Sequence, residues 1–175
     1  AEDKVLTYYM YSPLLSGRTL SLGPNTLTLT GGGTFVNPNG GLELNHPNSK
    51  LLLSSITVDK VITRVDDSLG LDVDNNSTVS SFSVAHTTPV SIASGKTLSG
   101  AITLTAGSIK LGETGTLAST VSMSGGTLDA DNSSTLSGAL SQAGNITIDV
   151  ADGKTLTYSG ASLSLGANTL TMSGG

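Results

Sequence analysis

The chain has 175 residues, 37% of them apolar and 12% charged, with a formal net charge of −5 and no cysteine. This length suits one domain around one core, and the lack of cysteine excludes disulfides, thiolate chemistry and iron–sulfur centres. With 13 acidic against 8 basic residues there is no cationic stripe for nucleic acid or an anionic bilayer. No apolar run approaches the roughly 18–20 residues needed for membrane insertion.

In chain order, residues 1–15 carry the aromatic cluster Tyr8, Tyr9 and Tyr11 and read as an N-terminal cap. Thr26–Thr30 then alternates leucine with threonine, and Ala101–Thr105 and Asn145–Asp149 repeat the pattern. Period-two alternation sends apolar side chains to one face of a strand and small polar ones to the other. The runs stop at Gly31-Gly32-Gly33, Ala106-Gly107, Gly125-Gly126 and Asp152-Gly153, which supply the positive φ of tight turns. No segment holds a helical apolar stripe; Leu51–Ile56 and Ser81–His86 come nearest, and their β-branched and hydroxyl residues favour strand.

The segments repeat. LGPNTLTLTGG at 22–32 returns as LGANTLTMSGG at 165–175, an offset of 143 (165 − 22), and Leu6-Thr7-Tyr8 returns as Leu156-Thr157-Tyr158. Leu71-Asp72-Val73-Asp74-Asn75 returns as Leu128-Asp129-Ala130-Asp131-Asn132 at 57 (128 − 71), and Gly95-Lys96-Thr97-Leu98 as Gly153-Lys154-Thr155-Leu156 at 58 (153 − 95). Divided by three, the shared offset gives a coil of about 19 residues, and divided by two, about 29. Some nine coils at about 4.8 Å each make a rod about 43 Å long. The fold class expected is all-β, a single-stranded parallel β-helix (β-solenoid) over residues 1–175 with inward Leu, Ile and Val ladders. An antiparallel β-sandwich is the alternative, although it does not explain the recurring offset. The final Gly174-Gly175, where the first copy runs on into Gly33-Thr34-Phe35, reads as a cut inside a longer repetitive protein. Terminal coils would then expose unpaired strands, an invitation to end-to-end self-association.

The repeated Leu-x-x-Asn-Thr-Leu-Thr-Leu/Met-Thr/Ser-Gly-Gly and the Gly-Lys-Thr-Leu motifs resemble the parallel β-helix of bacterial surface adhesins, autotransporter passengers and polysaccharide-binding extracellular proteins. The resemblance implies export, a secreted or cell-surface location, and a rod presenting a face to a glycan or to a host or matrix protein. Thr, Ser, Gly and Asn beside so few charges point the same way. Non-catalytic adhesion or structural display is the function expected. The alternatives are a carbohydrate-binding module for cell-wall or matrix polysaccharide, with or without Ca²⁺ assistance, and a polysaccharide lyase- or hydrolase-like β-helix.

Candidate chemistry is sparse. Asp72 with Asp74, and Asp129 with Asp131, sit two apart and so share a strand face, where carboxylates could hold Ca²⁺; a turn-starting, solubilising role is the plainer reading, and no other cofactor is expected. Tyr9 and Tyr11, also two apart, could form a sugar platform or cap the core. Asp66 and Asp67, with Lys60 and Arg64, are the residues a lyase or hydrolase would use. Adjacent carboxylates on a strand diverge, however, and cannot attend one glycosidic bond unless they lie in a turn. His46 and His86 lack metal-binding spacing and read as loop and strand-end residues. Asn25 and Asn168 hold matching turn positions.

Overall fold

A computed structural model describes residues 6–9, 19–36, 40–64, 70–161, 163 and 165–174. The alternating segments are all strands, and no helix occurs among the described residues. The first level of the coil carries β1 (Leu6–Tyr9) and β2 (Leu20–Ser21), and the second β3 (Thr26–Thr30), β4 (Thr34–Phe35) and β5 (Leu42–Leu44). Three two-strand levels follow: β6 (Lys50–Ser54) with β7 (Thr57–Arg64), β8 (Gly70–Val73) with β9 (Ser77–Val84), and β10 (Val90–Ile92) with β11 (Thr97–Leu104). The next two contain β12 (Ser108–Leu111), β13 (Thr116–Leu117) and β14 (Thr120–Met123), then β15 (Thr127–Ala130), β16 (Ser134–Leu136) and β17 (Leu140–Gln142). β18 (Ile146–Val150), β19 (Leu156–Tyr158) and β20 (Leu170–Gly174) complete the chain.

Two sheets run the length of the rod. The first has nine strands in the order β1-β3-β6-β8-β10-β12-β15-β18-β20, and the second has eleven. The second is creased into two faces: β7 pairs with β4 through Thr57 and Val58, and with β5 through Ile62–Arg64. Register shifts between Val58 and Val61, and again between Gly100 and Ala101, mark the crease. The coil is therefore three-sided. Every described pairing is parallel, which excludes the antiparallel sandwich.

The chain completes about seven turns of about 20 residues, fewer than the nine of 19 expected, with β1 and β20 adding a strand at either end of the first sheet. The central steps are 19 residues: Asp72 pairs with Ser91 (91 − 72), Ser91 with Lys110 (110 − 91) and Lys110 with Asp129 (129 − 110). The offset of 57 is thus three turns, not two of 29. Toward the ends the step grows to 24, from Leu27 to Leu51 (51 − 27) and from Ile148 to Met172 (172 − 148), because longer connections such as the turn around His46–Ser49 are inserted.

Inside, ladders of aliphatic side chains replace a conventional core. Leu29, Leu53, Val73, Ile92 and Leu111 stack in register, and each is at most 2% exposed. Burying such a side chain contributes roughly 1.5–3 kcal/mol, and the short strands have no other source of comparable size. The corners are closed by side chains reaching along the axis. Asn45 Oδ1 accepts the Gly23 N–H at 2.8 Å, Asn76 Oδ1 the Thr97 N–H at 2.9 Å, and Asn145 Oδ1 the Thr169 N–H at 3.0 Å. Each clamp satisfies a backbone donor that no strand partner reaches.

Two sequence repeats do not superpose as the sequence suggests. Leu27, in register with Leu6, belongs to a column through Leu51 and Leu71 that continues by Val90, Ile109, Leu128 and Ile148 to Met172. The sequence copy instead matches Met172 with Leu29 (172 − 143), a slip of two residues. Leu6-Thr7-Tyr8 lies in β1 of the first sheet, whereas its copy Leu156-Thr157-Tyr158 is β19 of the second. The turn chemistry is what the copies share: Gly23 and Gly166 hold φ of 54° and 56°, and Gly95 and Gly153 hold 68° and 67°.

Candidate functional site

The outward side of the first sheet is the longest regular surface. Period-two alternation places Thr28, Leu52, Asp72, Ser91, Lys110, Asp129, Asp149 and Ser173 in one ladder along the axis. The carboxylates are engaged by lysines from neighbouring turns. Lys50 Nζ lies 2.5 Å from Asp72 Oδ2, and Lys110 Nζ lies 3.1 Å from Asp129 Oδ2 and 3.5 Å from Asp131 Oδ2. Asp149 is the register neighbour of Asp129 and accepts a hydrogen bond from Ser173 Oγ at 2.6 Å. Asp74 is exposed in the bend after β8. Asp72, Asp129 and Asp131 are thus tied to lysines along the axis while Asp74 is not, and no group of three or more His, Asp or Glu side chains arranged to hold a metal occurs among the described residues.

The hydrogen bond and charge of Asp129, helped by Asp131, raise the Lys110 ammonium above the ordinary lysine range of 10.5. A raised lysine stabilises the fold while both states are protonated. Its contribution is fully present below pH 10.5 and is lost as pH climbs through the higher folded value. Lys110 and Asp131 face solvent and Asp129 is half-buried, so Lys110→Met is expected to cost only about 0.2–1 kcal/mol at neutral pH. The difference from wild type in urea melts should shrink in 1 M salt, where the Debye length is about 3 Å.

Arg64 and Lys60 do not converge. Arg64 points inward, 6% exposed, in register with Leu44, and Nη1 donates to the Thr88 carbonyl at 2.8 Å. Lys60 lies at the crease and is half-buried. Asp66 and Asp67 lie outside the described residues. His46 is in a turn, its Nδ1 accepting the Asn48 N–H at 3.0 Å, and His86 Nε2 lies 3.4 Å from the Arg64 carbonyl. Tyr9 ends β1 opposite Thr30, and Tyr11 lies outside the described residues. Asn25 Nδ2 donates to the Leu22 carbonyl at 2.8 Å, closing its own turn, while at the matching turn the Asn168 N–H bonds the Leu165 carbonyl at 3.0 Å.

Two further features stand out in the structure. One is a groove of about 290 Å³ at the edge between the first sheet and the β4–β7–β9 face, lined by Gly32 and Gly33 and by residues of three further turns. Thr34, Thr57, Thr78 and Ser99 follow one another in register there. The Gly31–Gly33 run hints at missing side-chain bulk, but the hydroxyl alignment depends on steps of 23, 21 and 21 residues (57 − 34, 78 − 57, 99 − 78), which the 19-residue offset does not give. The other is the last level, where Tyr158, Leu165 and Met172 are 37%, 39% and 62% exposed. Tyr158 continues the buried Leu98–Leu117–Leu136 ladder, and its hydroxyl donates to the Ala161 carbonyl.

The class this architecture defines is the parallel β-solenoid. No protein-family model, no curated protein and no solved structure matches the chain.

Proposed function

We propose that this solenoid is a non-catalytic module working outside the cell, in adhesion or structural display along an extended face. The supporting observation is the first sheet's outward ladder, where eight strands from β3 to β20 set mostly hydroxyl, lysine and aspartate side chains one above another at about 4.8 Å. Contacts to a matrix protein or a polymeric glycan spread over such a ladder are weak singly and gain by adding along the axis.

Immobilised bacterial, plant and host glycans and matrix proteins, probed with and without millimolar calcium, test it. The expected result is saturable binding to a matrix protein or polymer that weakens when Lys50 and Lys110 are both replaced by alanine. Failure to bind any member of the panel would sink the adhesion reading. Calcium-dependent binding lost in Asp129→Asn would assign the cation to the acidic ladder. A second reading, saccharide binding, is favoured by the hydroxyl-lined groove.

A further inference from the structure

We infer that the groove at the first corner is a site for an uncharged, hydroxyl-rich ligand, a short stretch of neutral polysaccharide; the inference rests on the saccharide-binding reading. Its volume of about 290 Å³ lies at the small end of ligand sites, which run from about 300 to 1,000 Å³. That is the scale of a sugar unit or two. No charged side chain lines it, so an anionic or cationic ligand would lose hydration there without a compensating partner.

The polar groups that remain are matched to hydroxyls. Thr57, Thr78 and Ser99 stand in register on adjacent turns, and their hydroxyls make no side-chain hydrogen bond among the described residues. Each can donate and accept, as a sugar hydroxyl can. Asn76 adds directional donors. Its Oδ1 is held by the Thr97 N–H at 2.9 Å, which fixes the amide and leaves both Nδ2 hydrogens without a partner among the described residues. Ser77 is excluded from recognition, because its Oγ already donates to the Asn75 carbonyl at 2.9 Å. At Gly32 a Cβ would meet nothing within 4 Å, so the ligand can approach the backbone closely there. The groove contains no aromatic ring, so recognition is by hydrogen bonds spaced along the axis, and neither calcium nor the acidic ladder takes part.

The experiment is a titration of the ¹⁵N-labelled protein with cello-, xylo- and malto-oligosaccharides, with oligogalacturonate as the anionic comparator, in EDTA. Amide shifts confined to residues around Gly32, Thr57, Asn76, Thr78 and Ser99, with one neutral series and not with oligogalacturonate, are the expected result. Thr57→Val with Thr78→Val keeps shape and removes two hydroxyls. At about 1 kcal/mol for each lost hydrogen bond, association should fall about tenfold or more, while Asp129→Asn leaves it unchanged. The wild-type shift map decides the matter even if the double variant folds poorly. Neutral saccharide binding that maps elsewhere, or survives the double variant, overturns the groove and leaves the saccharide reading standing. Absence of binding by every saccharide overturns both.

Discussion

Replacing Gly107 with valine is expected to destabilise the solenoid by about 3–5 kcal/mol, a large share of the roughly 5–15 kcal/mol that holds a domain together. Two independent costs combine. Gly107 holds φ of +71°, where a side chain costs about 1–2 kcal/mol. A Cβ there would also lie 1.8 Å from the His86 carbonyl oxygen of the preceding turn. That contact is with backbone, so relief requires separating two turns of the stack. Gly153→Ala separates the costs: φ is a similar +67°, but nothing lies within 4 Å of the new Cβ. Its expected cost is the conformational part alone, about 1–2 kcal/mol. Urea midpoints of the two variants should differ widely. Equal losses would mean that the turns are less closely stacked at Gly107 than described.

Phe82→Ala should cost a similar amount, about 3–5 kcal/mol. Phe82 is 2% exposed and sits in register between Ile62 and Ile102, so the vacated volume is bounded by ladder neighbours above and below. Backbone hydrogen bonds fix the distance between turns, and the neighbours cannot collapse far into the cavity. Met172→Ala, at the exposed end of its own ladder, should cost less than about 0.5 kcal/mol. A thermal or urea series comparing the two reads the depth of burial directly. A loss of under 1 kcal/mol for Phe82→Ala would show that the interior repacks freely, against the ladder description.

Local grammar was the readable part of the sequence. The alternation of Thr26–Thr30 is β3, and the offset between Leu71 and Leu128 counts three turns of 19 residues, because a parallel coil must bring every strand back beneath itself. The lysine partners of Asp72 and Asp129 were not readable, since they stand one turn away: Lys50 reaches forward to Asp72, and Lys110 to Asp129. Nor does the sequence announce the 24-residue turns or the two sheets holding Leu6–Tyr8 and Leu156–Tyr158. Similar strands can occupy any face whose interior takes leucine, so the face is decided by the connections between them.

The two-residue slip between Leu29 and Met172 has a consequence for how the molecule folds. Every strand finds its partners about one turn along the chain, so closing the loop costs much the same at either end as in the middle. Between 19 and 24 residues the entropic difference is only about 0.2 kcal/mol. Adding levels therefore lengthens the rod without making any single pairing slower to find. A pairing wrong by two residues keeps leucine inward and threonine outward, whereas one wrong by a single residue inverts both. The chain must therefore reject near-correct registers that satisfy both the core and the loops. Glycine corners that tolerate no Cβ, such as Gly107, and the asparagines that each grasp one particular N–H of a neighbouring turn are the groups able to do so, which makes them the proofreaders of winding.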